Sequence, residues 1–139
     1  MRYWLFPSNQ NVFDLIGALH QFDFVDWHIP GNFKLEVGDF VFMYLSKPIS
    51  QIVYKMQVIK TDMALSETEQ MKPFWNAKYE PKGERWARLK CIESVTQNYT
   101  PLQSAFLFHN GVKSFQFPQL MEPETIEYVF SEFDKAKIQ

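Results

Sequence analysis

Residues 34–46 read Lys34-Leu35-Glu36-Val37-Gly38-Asp39-Phe40-Val41-Phe42-Met43-Tyr44-Leu45-Ser46, and their pattern defines the centre of the domain. Val37-Gly38-Asp39 is a tight turn feeding a strand from Asp39 to Leu45. Side chains alternate across a strand, so Phe40, Phe42 and Tyr44 share one face and Val41, Met43 and Leu45 the other. Apolar residues on both faces mark a central strand covered on two sides.

Downstream, Pro48 to Ser50 makes a turn and Gln51 to Lys60 reads as the hairpin partner. Ile52, Tyr54, Met56 and Val58 fall on one of its faces, with Val53, Lys55 and Gln57 on the other. Residues 61–84 form the longest irregular segment, with one helical turn at Glu67 to Met71. Arg85 to Val95 alternates again, with Ala87, Leu89, Cys91 and Val95 inward and Arg88 and Lys90 outward. Leu102 to Asn110 is amphipathic, a short helix, and Lys113 to Phe117 reads as a last strand. A closing helix spans Glu122 to Lys135, its acidic start and basic end matched to the helix dipole.

Upstream, Tyr3 to Phe6 is a short strand closed by Pro7-Ser8-Asn9. A helix comes next, from Val12 to Gln21, capped by Ser8 or Asn11, and Phe22 to Trp27 reads as an aromatic strand. The order β-α-β-β-β-β-β-α predicts an α+β fold, a small mixed β-barrel flanked by helices.

Composition bounds the function. The 139 residues make one domain, residues 1–139, with no internal repeat. With 14 basic against 16 acidic residues, a pervasively basic coat is excluded, while a local basic face is not. One cysteine, Cys91, excludes an internal disulfide, and with His20, His28 and His109 it makes a poor zinc set, so neither metal nor cofactor is expected. Apolar runs are too short for a membrane span, and the expected location is cytoplasmic. Aromatics reach 17%, which reads plainly as a small core filled with large side chains, most of the Phe among them, and alternatively as some of them lining a site for a flat ligand.

Enzyme signatures are missing: no G-x-S-x-G, no glycine-rich phosphate loop, no H-E-x-x-H. Asp23 with Asp26 is a weak acid/base pair, Cys91 sits at a core position, and no catalytic residue is expected. Charge is uneven instead. Lys72 to Lys90 holds six basic and two acidic residues, whereas Glu122 to Asp134 holds five acidic and no basic ones. The basic segment also carries Trp75, Tyr79 and Trp86. Cations interleaved with aromatics suit a splayed base and its flanking phosphates; a solvated loop and a solvated helix are the plainer reading.

The run Tyr3-Trp4-Leu5-Phe6-Pro7-Ser8-Asn9, then Val25-Asp26-Trp27, then residues 34–46 and Ile52-Val53-Tyr54-Lys55-Met56-Gln57-Val58, resembles the EVE domain. That family is PUA-like and related to YTH domains, and the nearest likeness is to EVE-like modules of HNH-type modification-dependent restriction endonucleases. The chain departs from the commonest pattern by placing Trp27-His28 where an Asn-Tyr element is usual. The resemblance implies a binding module, not an enzyme, that reads a modified base in DNA by flipping it into an aromatic cage. RNA binding by a stand-alone domain is the alternative, as is a small enzyme built around Asp26 and His28. The implied pocket comprises Ser8 and Asn9 at the base edge, Trp27 and Trp75 as walls, and Leu45 and Ser46 as floor. Lys72, Lys78, Lys82, Arg85 and Arg88 are the implied backbone contacts, and cleavage would reside in a fused or associated nuclease domain. Ser8 and Asn9 also have a reading as turn and cap residues, Trp27 as a core residue, and Trp4 and Trp86 as core or barrel-surface residues.

Overall fold

The computed structural model describes residues 1–138. Strands β1 (Tyr3–Ser8), β2 (Phe24–His28), β3 (Phe40–Leu45), β4 (Gln51–Met63), β5 (Trp86–Ser94) and β6 (Gln119–Leu120) form one sheet in the order β2-β5-β4-β3-β1-β6. β1 and β3 run parallel and the other neighbours antiparallel. A parallel pair needs a crossover, and helix α1 (Leu15–Gln21) with β2 lies between β1 and β3 in the chain. Among the described residues no ladder joins β2 to β6, so the mixed sheet keeps two ends. Helices α2 (Ser104–His109) and α3 (Pro123–Ile138) complete the α+β architecture.

The alternation in β3 has the predicted consequence. Val41, Met43 and Leu45 enter one core cluster with Trp4, Phe6, Phe13, Leu15 and Ala18. Phe42 and Tyr44 enter a second with Leu5, Leu107, Val129 and Phe133. Thus α1 covers one face of the sheet, and α2 and α3 cover the other.

The turn before β3 is held by its acid. Asp39 is buried and accepts hydrogen bonds from the Arg2 backbone N–H at 3.0 Å, the Glu36 N–H at 3.0 Å and the Trp4 indole Nε1–H at 3.1 Å. Gly38 takes φ 97°, a left-handed conformation that a Cβ disfavours. Trp4 and Trp86 are both core residues.

Five local expectations need correction. Ile52 packs in the second cluster, apart from Tyr54, Met56 and Val58 in the first, because the β3–β4 register shifts between Met43 and Tyr44. A second shift between Lys55 and Met56 in the β4–β5 ladder accompanies the move of Val95 to the second cluster, away from Ala87 and Leu89. A bulge adds one residue and reverses the facing of the strand beyond it. The cap of α1 is Asp14, whose side chain accepts from the Gly17 N–H at 2.9 Å, rather than Ser8 or Asn11. Lys113 to Phe117 is no strand; the edge strand is the two-residue β6, paired antiparallel to Trp4 and Leu5. The segment from residue 61 is also more regular than expected, since β4 reaches Met63 and a 3-10 helix spans Leu65–Phe74.

Candidate nucleic-acid interface

The six residues of the implied pocket divide between two sides of the sheet. Ser8 lies opposite Leu45 in the β1–β3 register, and both follow the alternation that puts Trp4, Phe6 and Met43 in the first cluster. Leu45 is fully buried. Trp27, from β2, and Trp75, after the 3-10 helix, are half-buried against the same cluster. Asn9 and Ser46 lie just beyond the strand ends and line a cleft of about 670 Å³ whose other walls include Tyr44 and Phe115. Those two rings belong with the second cluster.

Between Trp27 and Trp75 stands Phe13, a residue the sequence pattern placed on a helix face. Its ring centroid is 5.4 Å from that of Trp27 and 5.0 Å from that of Trp75, both contacts edge-on. Phe13 and Trp75 also pair as an antiparallel bridge, flanked by Asp14 N–H to Phe74 O at 2.8 Å and Asn76 N–H to Val12 O at 2.9 Å. Trp75 rests on Trp86 as well, at 6.2 Å. Trp75 is therefore held in a packed arrangement.

Ser8 carries a polar signature. Its side-chain oxygen is buried without a hydrogen-bond partner, a condition shared among the described residues only by Glu93 Oε2. Buried hydroxyls are nearly always paired, and an orphan costs about 1–3 kcal/mol. Asn9 serves its own turn, its Oδ1 accepting from the Asn11 N–H at 2.9 Å.

The cations of residues 72–90 differ in how far they are engaged. Arg88 donates from Nε to Asp26 Oδ1 at 2.8 Å and from an Nη to Oδ2 at 3.1 Å, and its guanidinium lies 4.3 Å from the Phe24 ring. Hydrogen bonding to Asp26 raises the Arg88 pKa. Arg85 binds Phe33 O at 2.9 Å and Asp62 at 3.2 Å, and Lys72 meets Glu69 at 3.6 Å in an exposed pair. Lys78 and Lys82 are exposed and, among the described residues, make no ion pair. Asp26 is buried and has both oxygens on Arg88. His28 sits under Gly83, where a Cβ would clash with its ring, and beside Trp86 at 5.5 Å. Burial raises the Cys91 thiol pKa, with Asp23 adding to the effect, which opposes a nucleophilic role.

Sequence reasoning overlooked the aromatic and amide lining of the cleft: Phe108, Phe115, Asn11 and Gln116. The signal was present in Phe106-Leu107-Phe108 and Phe115-Gln116-Phe117, where closely spaced aromatics leave rings exposed.

A six-stranded mixed sheet with a parallel β1–β3 pair and helices on both faces is consistent with a small PUA-like α+β fold, one that generally binds nucleic acid. The chain belongs to the EVE domain family, whose model matches residues 2–116; helix α3 lies beyond the matched span. The fold is similar to an ASCH crystal structure from Zymomonas mobilis, with a TM-score of 0.66, 8% identity and 94% of each chain covered. A hypothetical protein from Leishmania major gives 0.63 at 14% identity over 99% of this chain and 97% of its own. A Pseudomonas putida protein gives 0.61 at 17% identity over 94% and 98%. No curated protein matches the sequence. Among the described residues no helix is long and apolar enough to cross a membrane.

Proposed function

We propose that the domain reads a modified base in DNA, taking the extruded base between Trp27 and Trp75, and serves as the specificity domain of a modification-dependent restriction system. The observation that carries this reading is the orphan Ser8 hydroxyl, on the sheet face that bears both indoles. A base edge offers that hydroxyl the partner it lacks. The Phe13 ring is the second support: it touches both indoles edge-on, and a base takes its place when Phe13 swings out.

The energies are compatible. Extruding a base costs a few kcal/mol, less when it is mismatched or already single-stranded. Stacking returns about 1–3 kcal/mol per aromatic partner, and an enclosed methyl adds about 0.8 kcal/mol. One methyl alone therefore discriminates only several-fold, and exclusion of water from the closed pocket adds to it. Lys78 and Lys82 supply phosphate contacts, with Lys72 and Arg85 beside them. Cleavage belongs to a nuclease domain outside these 139 residues.

The test is a titration of DNA carrying 5-methylcytosine, 5-hydroxymethylcytosine or N6-methyladenine against unmodified DNA and RNA of the same sequence. One modification should bind more tightly than its parent base, and Trp27→Ala should remove about 1–3 kcal/mol of that binding. Equal binding of modified and unmodified strands, or a preference for RNA, would overturn the reading.

A further inference from the structure

We infer that the cleft at the ends of β1 and β3 is a second nucleotide subsite, in which a base stacks on exposed aromatic rings while side-chain amides meet its edge and Lys47 its phosphate. This rests on the reading of the domain as a DNA binder, but it assigns a different pocket, on the opposite side of the sheet from Trp27 and Trp75.

Size, charge and chemistry agree. At about 670 Å³ the cleft falls within the range of small-ligand sites. The protein has 16 acidic residues, yet no carboxylate lines the cleft and its one charged group is Lys47. An anionic ligand is favoured there. Tyr44 and Phe115 pack with centroids 4.6 Å apart and planes tilted by 32°, and Phe108 lines the same cleft 65% exposed. An uncovered ring beside this packed pair is a platform for another flat group, and every base has such a face.

The polar lining suits a base edge. Asn9 has committed its Oδ1 to the Asn11 N–H, so its amide NH₂ is the group left to donate. Asn11 and Gln116 make no side-chain hydrogen bond among the described residues and offer both donor and acceptor. Ser46, Ser50 and Ser104 add hydroxyls around them. Amides, hydroxyls, open rings and one cation, without an acid, describe a nucleotide better than a sugar, whose hydroxyls are commonly held by carboxylates. The turn also links the pockets: Asn9 and Asn11 line the cleft, and two residues later Phe13 fills the space between the indoles. A strand that engages this turn meets both.

The experiment is an NMR titration of the labelled protein with 2′-deoxycytidine 5′-monophosphate and 2′-deoxyadenosine 5′-monophosphate, beside 2-deoxyribose 5-phosphate and maltotriose. The side-chain amide signals of Asn9, Asn11 and Gln116 should move with both nucleotides and little with the other two. Phe108→Ala should weaken the binding about fivefold or more, and Lys47→Ala should weaken the nucleotides but not the parent nucleosides. Both residues are exposed, so neither change removes core packing. Trp27→Ala should leave this titration unaltered. Silence at these amides up to about 10 mM nucleotide, equal response to maltotriose or to the sugar phosphate, or no effect of Phe108→Ala would each overturn the subsite. None of these results bears on discrimination by Trp27, and loss of that discrimination with the cleft titration intact would overturn the Trp27–Trp75 reading alone.

Discussion

Phe13 meets Trp75 edge-on with ring centroids 5.0 Å apart, and the same two residues are joined as an antiparallel backbone bridge. The turn after β1 is thus tied to the end of the 3-10 helix through both ring and backbone. If a base displaces the Phe13 ring, trimming that ring should help. Phe13→Leu is expected to raise affinity for the preferred modified oligonucleotide while lowering the melting temperature. The stability loss should be smaller than the about 3–5 kcal/mol typical of Phe→Ala in a core. Titration and thermal melts on the same sample check both, and weakened binding in step with lost stability would make Phe13 a core residue only.

The cations should separate into two kinds. Neutralising Lys78 and Lys82 is expected to weaken modified and unmodified strands alike and to lower the slope of log affinity against log salt by about one per lost contact. Arg88→Ala should act on the fold, because it leaves the Asp26 carboxylate buried without its partner, a change that costs about 3–5 kcal/mol in comparable pairs. Denaturant unfolding and salt-dependent titrations of the three variants decide this; an Arg88→Ala protein of native stability would refute the assignment.

Asp39 should be among the most sensitive positions of the domain. Asp39→Ala strands two backbone N–H groups and the Trp4 indole N–H, at about 1–3 kcal/mol for each donor left buried and unpaired. A loss of several kcal/mol in urea unfolding is expected, with Asp39→Asn less damaging because it keeps one acceptor oxygen. Equal stability of Asp39→Ala and wild type would show that water replaces the carboxylate at no cost.

Alkaline pH should weaken the fold through two phenols. Burial, reinforced by Cys91 and Asp14, pushes Tyr54 up to about 12. Burial and the hydrogen bond that Tyr99 donates to Glu132 Oε1 at 2.9 Å push Tyr99 up to about 12. In the unfolded chain both titrate near 10, so the folded state holds the proton more tightly. This contribution is complete below about pH 10 and is lost as pH rises from about 10 to 12. Unfolding midpoints measured across that window should fall, and Tyr99→Phe should flatten the decline; an unchanged slope in the variant would remove Tyr99 from the effect.

The sequence by itself determined the central strand, its two covered faces, most of the elements and the family. These are local properties: the pleat repeats every two residues, turns need particular residues, and both are written in neighbouring positions. The V-G-D turn was legible for the same reason, although two of the three donors that hold Asp39 come from Arg2 and Trp4, some 35 positions away. Tertiary structure alone decided the rest. Two register shifts moved Ile52 and Val95 to the other face, and no local pattern announces where a ladder slips. Lys55, read simply as the other face of its strand, is buried with its Nζ 4.2 Å from the Phe130 ring of α3. The ion pair of Arg88 with Asp26, 62 residues distant, likewise has no local signature. The implied pocket divided for a related reason. Ser8 and Leu45 are still within their strands and keep the facing of the first cluster, while Asn9 and Ser46, one residue further on, have left the ladder and turn into the cleft. Where a strand ends is set by what it pairs with, and pairing is a property of the folded chain.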